Sequence, residues 1–122
     1  MPTEVAAPTA LLVADRAEQA DVAVLLRGLG FHAVHVEGAD AMNALKDPVS
    51  LCLIDLRENG DALRLARAVR AQQPQAIVIG IADPARPAAA ADAIRAGVFD
   101  VLPRPPSARD LEIGRASCRE RV

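Results

Sequence analysis

No apolar run in the chain approaches the roughly 18 residues that a membrane-spanning helix requires. The opening "MPTEVAAPTA" has no basic segment leading into an apolar one, so neither a membrane association nor a secretory leader is expected. The two cysteines, Cys52 and Cys118, have neither metal-ligand nor redox spacing. Cys52 lies inside an apolar run, where a buried reduced thiol is expected, and a reducing, cytoplasmic setting fits. A surplus of positive charge is also missing. Fourteen Lys plus Arg against 16 Asp plus Glu leave a net charge of −2, so no basic field draws the chain to nucleic acid or anionic lipid, and direct nucleic-acid binding is not expected. No glycine-rich loop follows any apolar run, which disfavours a small nucleotide- or flavin-using enzyme; no enzymatic activity is expected. The "GLG" at residues 28–30 closes a helical pattern and reads as a helix stop.

What is present is enough apolar residue for one core: 122 residues that are 52% hydrophobic suit one domain and are too few for two. Short apolar runs alternate with helical patterns, the order of βαβ units. The runs "TALLVA", "FHAVHV", "SLCLID", "AIVIGIA" and "FDVLP" are too short and too continuously apolar for amphipathic helices, and predict five buried parallel strands. Val22, Leu25, Leu26 and Leu29 recur at helical spacing before Gly30. A shorter helix is predicted from Ala39 to Leu45, ended by "KDP". The spacing returns at Ala62, Leu65, Ala66 and Val69, and at Ala90, Ala93, Ile94 and Gly97, with Pro87 placed for a first helical turn. The expected fold is a three-layer α/β sandwich around a five-stranded parallel sheet.

In open parallel sheets ligands bind beyond the carboxyl ends of the strands. Asp55 ends the third run, Asp15 follows the first in "LLVADR", and Arg104 follows the fifth in "VLPRPP". Two carboxylates and a cation therefore converge on one edge, a plausible cradle for a divalent metal and a phosphoryl group. Asp15 has a competing explanation, because Glu18 three residues later would complete a helix capping box with it. His32 and His35 are three apart on a predicted strand, point to opposite faces and do not suit one metal. Arg64, Arg67 and Arg70 read as a solvated helix face.

The order "LLVAD", "LCLIDL", "IVIGIAD" and "AGVFDVLPRPPSARDLE" resembles the receiver domain of two-component response regulators over about residues 9 to 112. The last stretch is similar to the fifth-strand region of receivers in enhancer-binding transcription activators. The resemblance implies a flavodoxin-like sheet of strand order 2-1-3-4-5. It implies Asp55 as phospho-acceptor and Arg104, in place of the family lysine, as the phosphoryl-binding cation. It also implies a weakly held Mg²⁺ bound by Asp15, Asp55 and the backbone carbonyl of Arg57. A sensor histidine kinase is the implied partner, with homodimerisation through the receiver a further expectation and a transcriptional effector expected downstream.

The sequence departs from the family pattern around that acceptor. The adjacent acids that usually end the first strand are here Ala14 and Asp15. The hydroxyl residue that usually ends the fourth strand is replaced by Ile81 or Ala82, depending on a one-residue choice of alignment. Val101 stands where the family has an aromatic switch residue, and the loop after the acceptor is shortened to "RENGDA". A phosphorylation-independent pseudo-receiver, acting as an interaction or dimerisation module, is therefore the alternative. Ser107 is a good cap for a fifth helix, but "EIGRASCRERV" offers Gly, Arg and Cys where a sheet-packing helix wants Leu or Val. The tail resembles translated sequencing-adapter read-through, so residues 113–122 are expected to be non-native and the fifth helix to be truncated near Glu112.

Overall fold

The computed structural model describes residues 7–14, 16–37, 40–56 and 60–120, with the side chains of 16–20, 60, 61 and 117–120 left aside. Five strands alternate with five helices: β1 (Thr9–Val13), α1 (Arg16–Gly28), β2 (His32–Val36), α2 (Ala41–Ala44), β3 (Leu51–Asp55), α3 (Gly60–Gln72), β4 (Ile77–Ala82), α4 (Pro87–Ala96), β5 (Asp100–Pro103) and α5 (Ala108–Glu120). The strands form one sheet in the order β2-β1-β3-β4-β5, and every pairing is parallel. Parallel neighbours need a crossover, and each crossover here carries a helix that covers one face of the sheet.

Successive strand residues point to opposite faces, and the core divides accordingly. Leu12, Leu51, Leu53, Ile77, Ile79, Leu102 and Leu111 pack with Val22 and Leu26 of α1 on one side. Leu11, Cys52, Ile54 and Val78 pack with Ala66, Val69 and Ala93 on the other. Leu12, Leu53 and Ile79 are registered side by side across three strands, and each is at most 1% exposed. The three central strands are buried as expected. β2 corrects the expectation of five buried strands: His32 is exposed and the rest of the strand is half-buried. It is an edge strand, flanked on one side only, and its composition does not reveal that.

Helix ends follow local chemistry. Gly97 caps α4 at φ 101°, a left-handed conformation in which a side chain would be strained, and Arg70 of α3 donates from Nη1 to its carbonyl at 2.9 Å. α4 packs through Ala93 and Ala96, which leaves Ile94, placed on the buried stripe by spacing, 51% exposed. Ser107 and Asp110 form a reciprocal cap at the start of α5: the Asp110 amide donates to Ser107 Oγ at 3.1 Å and the Ser107 amide to Asp110 Oδ2 at 2.9 Å. The backbone of α5 then runs on to Glu120 and does not stop near Glu112. Gly114 is buried, and a Cβ there would stand 3.0 Å from Ile79 Cδ1.

At the amino edge of the sheet one side chain organises a loop. Gln73 Nε2 donates to the carbonyls of Leu45 and Asp47, both at 2.8 Å, while its Oε1 accepts from the Val49 amide at 2.7 Å. An open groove lined by Leu45, Pro48, Gln73 and Pro74 lies there.

Cys52 is buried on the central strand, and burial pushes its thiol up from 9.0 to about 12. In the unfolded chain it ionises at its ordinary, lower value. The stabilising difference is therefore complete below about pH 9 and is lost progressively as pH rises through about 12. The urea midpoint is expected to fall between about pH 8 and about pH 10, and to fall less in Cys52→Ala. Equal falls in the two proteins would show that the thiol contributes nothing to alkaline destabilisation.

Candidate functional site

β1 and β3 are adjacent, yet β1 leads on to β2 on one side while β3 leads on to β4 on the other, so the chain changes direction between them. The carboxyl ends at that point are where a parallel sheet leaves a crevice. Asp55 stands there as the last residue of the central strand. Among the described residues it is the single buried charged side chain. Leu51 and Leu53 face the α1 side, and the alternation of the strand puts Asp55 on that face also.

Arg104 reaches Asp55 from two strands away. Its backbone amide donates to the Ala82 carbonyl at 3.0 Å, which fixes it just beyond β5, and the Arg104–Pro105 bond is cis. β4 lies between β5 and β3, so the side chain must cover about two interstrand spacings, roughly 10 Å. It does so: Arg104 Nη2 forms an ion pair and hydrogen bond with Asp55 Oδ1. The Asp55 side chain is 4% exposed in this arrangement and that of Arg104 20%. A guanidinium can span this gap and still present a planar donor edge to a carboxylate.

The register also decides between the two candidate positions at the end of β4. Ile81 is paired with Asp55 and belongs to the apolar cluster on the same face, and the Leu56 amide donates to its carbonyl at 2.8 Å. Ala82 belongs to the opposite face. The residue beside the acid is thus an isoleucine, which can exclude water but can donate no hydrogen bond. Val101 packs half-buried against the α4-side core. On the other flank, His35 donates from Nε2 to the Ala14 carbonyl at 2.9 Å, tying the end of β1 to the edge strand. His32 is exposed at the far end of β2, so the histidines are separate, as their spacing predicts.

Of the four residues expected at the site, the structure brings Asp55 and Arg104 into contact. Asp15 and Arg57 lie outside the described residues. No group of three or more metal-ligating side chains occurs among the described residues. Asp55 offers the hard oxygen donor that Mg²⁺ takes. The sequence did not reveal the direct contact between Asp55 and Arg104.

No family model matches the sequence, and no curated protein matches it. Solved structures do. A response regulator from Thermotoga maritima superposes with a TM-score of 0.82 at 20% identity, over 93% of this chain and 98% of that one. The receiver domain of NtrX from Brucella abortus superposes with a TM-score of 0.76 at 24% identity, over 91% of this chain and 98% of that one. The chain has the receiver fold. A longer NtrX structure matches with a TM-score of 0.81 at 25% identity, over 94% of this chain but 27% of that chain, so the likeness is to its receiver portion. In receiver terms, the departures cluster on one edge: Arg104 for lysine, Ile81 for a hydroxyl residue and Ala14 for an acid. No helix among the described residues is long and apolar enough to cross a membrane.

Proposed function

We propose that this receiver accepts a phosphoryl group at Asp55 from a sensor histidine kinase and regulates a downstream, transcriptional effector through the resulting change of charge. The observation that carries the reading is the placement of Asp55: the one buried acid among the described residues, at the carboxyl end of the central strand, with a cation brought onto it from just beyond β5. A carboxylate oxygen attacks the phosphorus of a phosphohistidine in line. The P–N bond breaks, its electron pair goes to the imidazole nitrogen, and an acyl phosphate forms on Asp55. The buried strand holds the nucleophile rigid, and the Arg104 guanidinium supplies charge-assisted hydrogen bonds to the phosphoryl oxygens. Mg²⁺, when bound, neutralises charge on the same oxygens, with Asp55, Asp15 and the Arg57 carbonyl as the ligands that the receiver resemblance implies. In this role the domain is a signalling module and not an enzyme acting on a metabolite, and it acts in the cytoplasm.

A second reading has its own support. The Asp55 side chain is 4% exposed and already neutralised by Arg104, which suits a pseudo-receiver that binds partners or a second copy of itself without phosphorylation. Intact-mass measurement with acetyl phosphate and Mg²⁺ separates the two. Wild type is expected to gain one phosphoryl group slowly and Asp55→Asn to gain none. A gain that persists in Asp55→Asn, or no gain in either wild type or Arg104→Lys, would remove the phospho-receiver reading.

A further inference from the structure

The Asp55 carboxylate is covered by its own counter-ion. We propose that Arg104 is an autoinhibitory latch: its ion pair with Asp55 closes the resting site, and phosphodonor and divalent cation reach the carboxylate when the guanidinium swings away. The proposal rests on the phospho-receiver reading for its biological use, but the latch itself is a property of the two side chains.

An in-line attack needs a carboxylate oxygen that an incoming phosphorus atom can approach. Here the Asp55 side chain is 4% exposed, and Oδ1 is engaged by Arg104 Nη2. Arg104 remains 20% exposed, so its outer side has access to water while its inner side rests on the acid. The Arg104 amide is held by the Ala82 carbonyl at 3.0 Å, which leaves the side-chain torsions as the hinge. Ile81, registered beside Asp55, has a side chain that can donate no hydrogen bond to the carboxylate. Arginine holds this position better than lysine would. Its fork is planar, weakly hydrated and loses less freedom per hydrogen bond, whereas an ammonium is strongly hydrated and easily exchanged for water. A metal ion must compete with the guanidinium for Asp55, so the apparent affinity of the site is the intrinsic affinity multiplied by the open fraction.

The test compares wild type, Arg104→Lys and Arg104→Ala as the full chain, each first checked by its urea midpoint. One readout is the initial rate of Asp55 labelling by acetyl phosphate with Mg²⁺, followed by intact mass. The other is the midpoint of a titration with Mg²⁺ alone, followed by amide NMR of residues flanking Asp55. If the open fraction at rest is about one tenth, Arg104→Lys should label about tenfold faster, and Arg104→Ala should bind Mg²⁺ with a midpoint about tenfold lower. The labelling ratio decides wherever wild type or Arg104→Lys labels. Wild type that labels as fast as Arg104→Lys overturns the latch while leaving the receiver reading intact. If neither labels, the receiver reading falls and the Mg²⁺ midpoint decides: a lower value in Arg104→Ala upholds the latch, and an unchanged one overturns it.

Discussion

Leu53→Ala is expected to lower the unfolding free energy by about 2–5 kcal/mol. The side chain is fully buried on the central strand, with Leu12 registered on one side and Ile79 on the other. Both neighbours are held by their own backbone ladders, so the surroundings cannot close over the space without dragging a strand out of register. The loss therefore includes the cavity as well as the missing methyl groups. Val24→Ala, at a position 62% exposed on α1, is the control and should change stability by no more than about 0.5 kcal/mol. Urea denaturation of the three proteins measures the difference. A Leu53→Ala midpoint equal to that of wild type would mean that this row of side chains does not form the centre of the core.

The second large effect concerns the response to phosphorylation. A switch needs a contact that exists in one state and not in the other. The receiver resemblance supplies such a contact through a hydroxyl at the end of the fourth strand, and the structure puts Ile81 beside Asp55 on the same face. With beryllofluoride as the phosphoryl mimic, amide shifts in wild type are expected to stay close to Asp55 and to leave Val101 and α4 unmoved. Ile81→Thr should spread them to both. A hydrogen bond from that hydroxyl to a charged phosphoryl oxygen is worth about 1.5–3 kcal/mol, enough to shift a two-state population by roughly tenfold or more. The same substitution buries a hydroxyl in the unmodified protein, so some loss of resting stability accompanies the gain. NMR of both proteins with and without the mimic decides. Shifts that already reach Val101 in wild type would show that relay does not depend on a hydroxyl at this place.

The strands were legible because a parallel sheet covered on both faces demands continuous apolar runs, and "SLCLID" and "AIVIGIA" differ from β3 and β4 only in their first residue. The cap at Ser107, though not its reciprocal contact with Asp110, was legible for a similarly local reason, since a short polar side chain before a helix has few other uses. Exposure along β2 was not, because being an edge strand depends on the order of the sheet and not on "FHAVHV". Nor was the orientation of α4, where Ala93 and Ala96 sit against the neighbouring layer and Ile94 turns outward: among alanines, spacing offers little to distinguish one face from another. Gly114 was read as a defect in a sheet-packing pattern, but it is buried where a larger residue would meet Ile79. At the site, strand ends gave away Asp55 and Arg104 as neighbours. Their ion pair depends on how far a side chain reaches across β4, which no spacing in the chain encodes.

Gln73 shows how much can depend on the identity of one side chain. Its amide accepts one hydrogen bond and donates two, all to backbone groups of the segment leading into β3. Glutamate has the same reach but no donor, lysine has donors but no acceptor, and asparagine has the right group on a stem one methylene shorter. The substitutions usually regarded as mild are therefore each deficient in a different way. At this corner of the molecule the room for sequence drift is set by the chemistry of a single amide and not by volume or polarity.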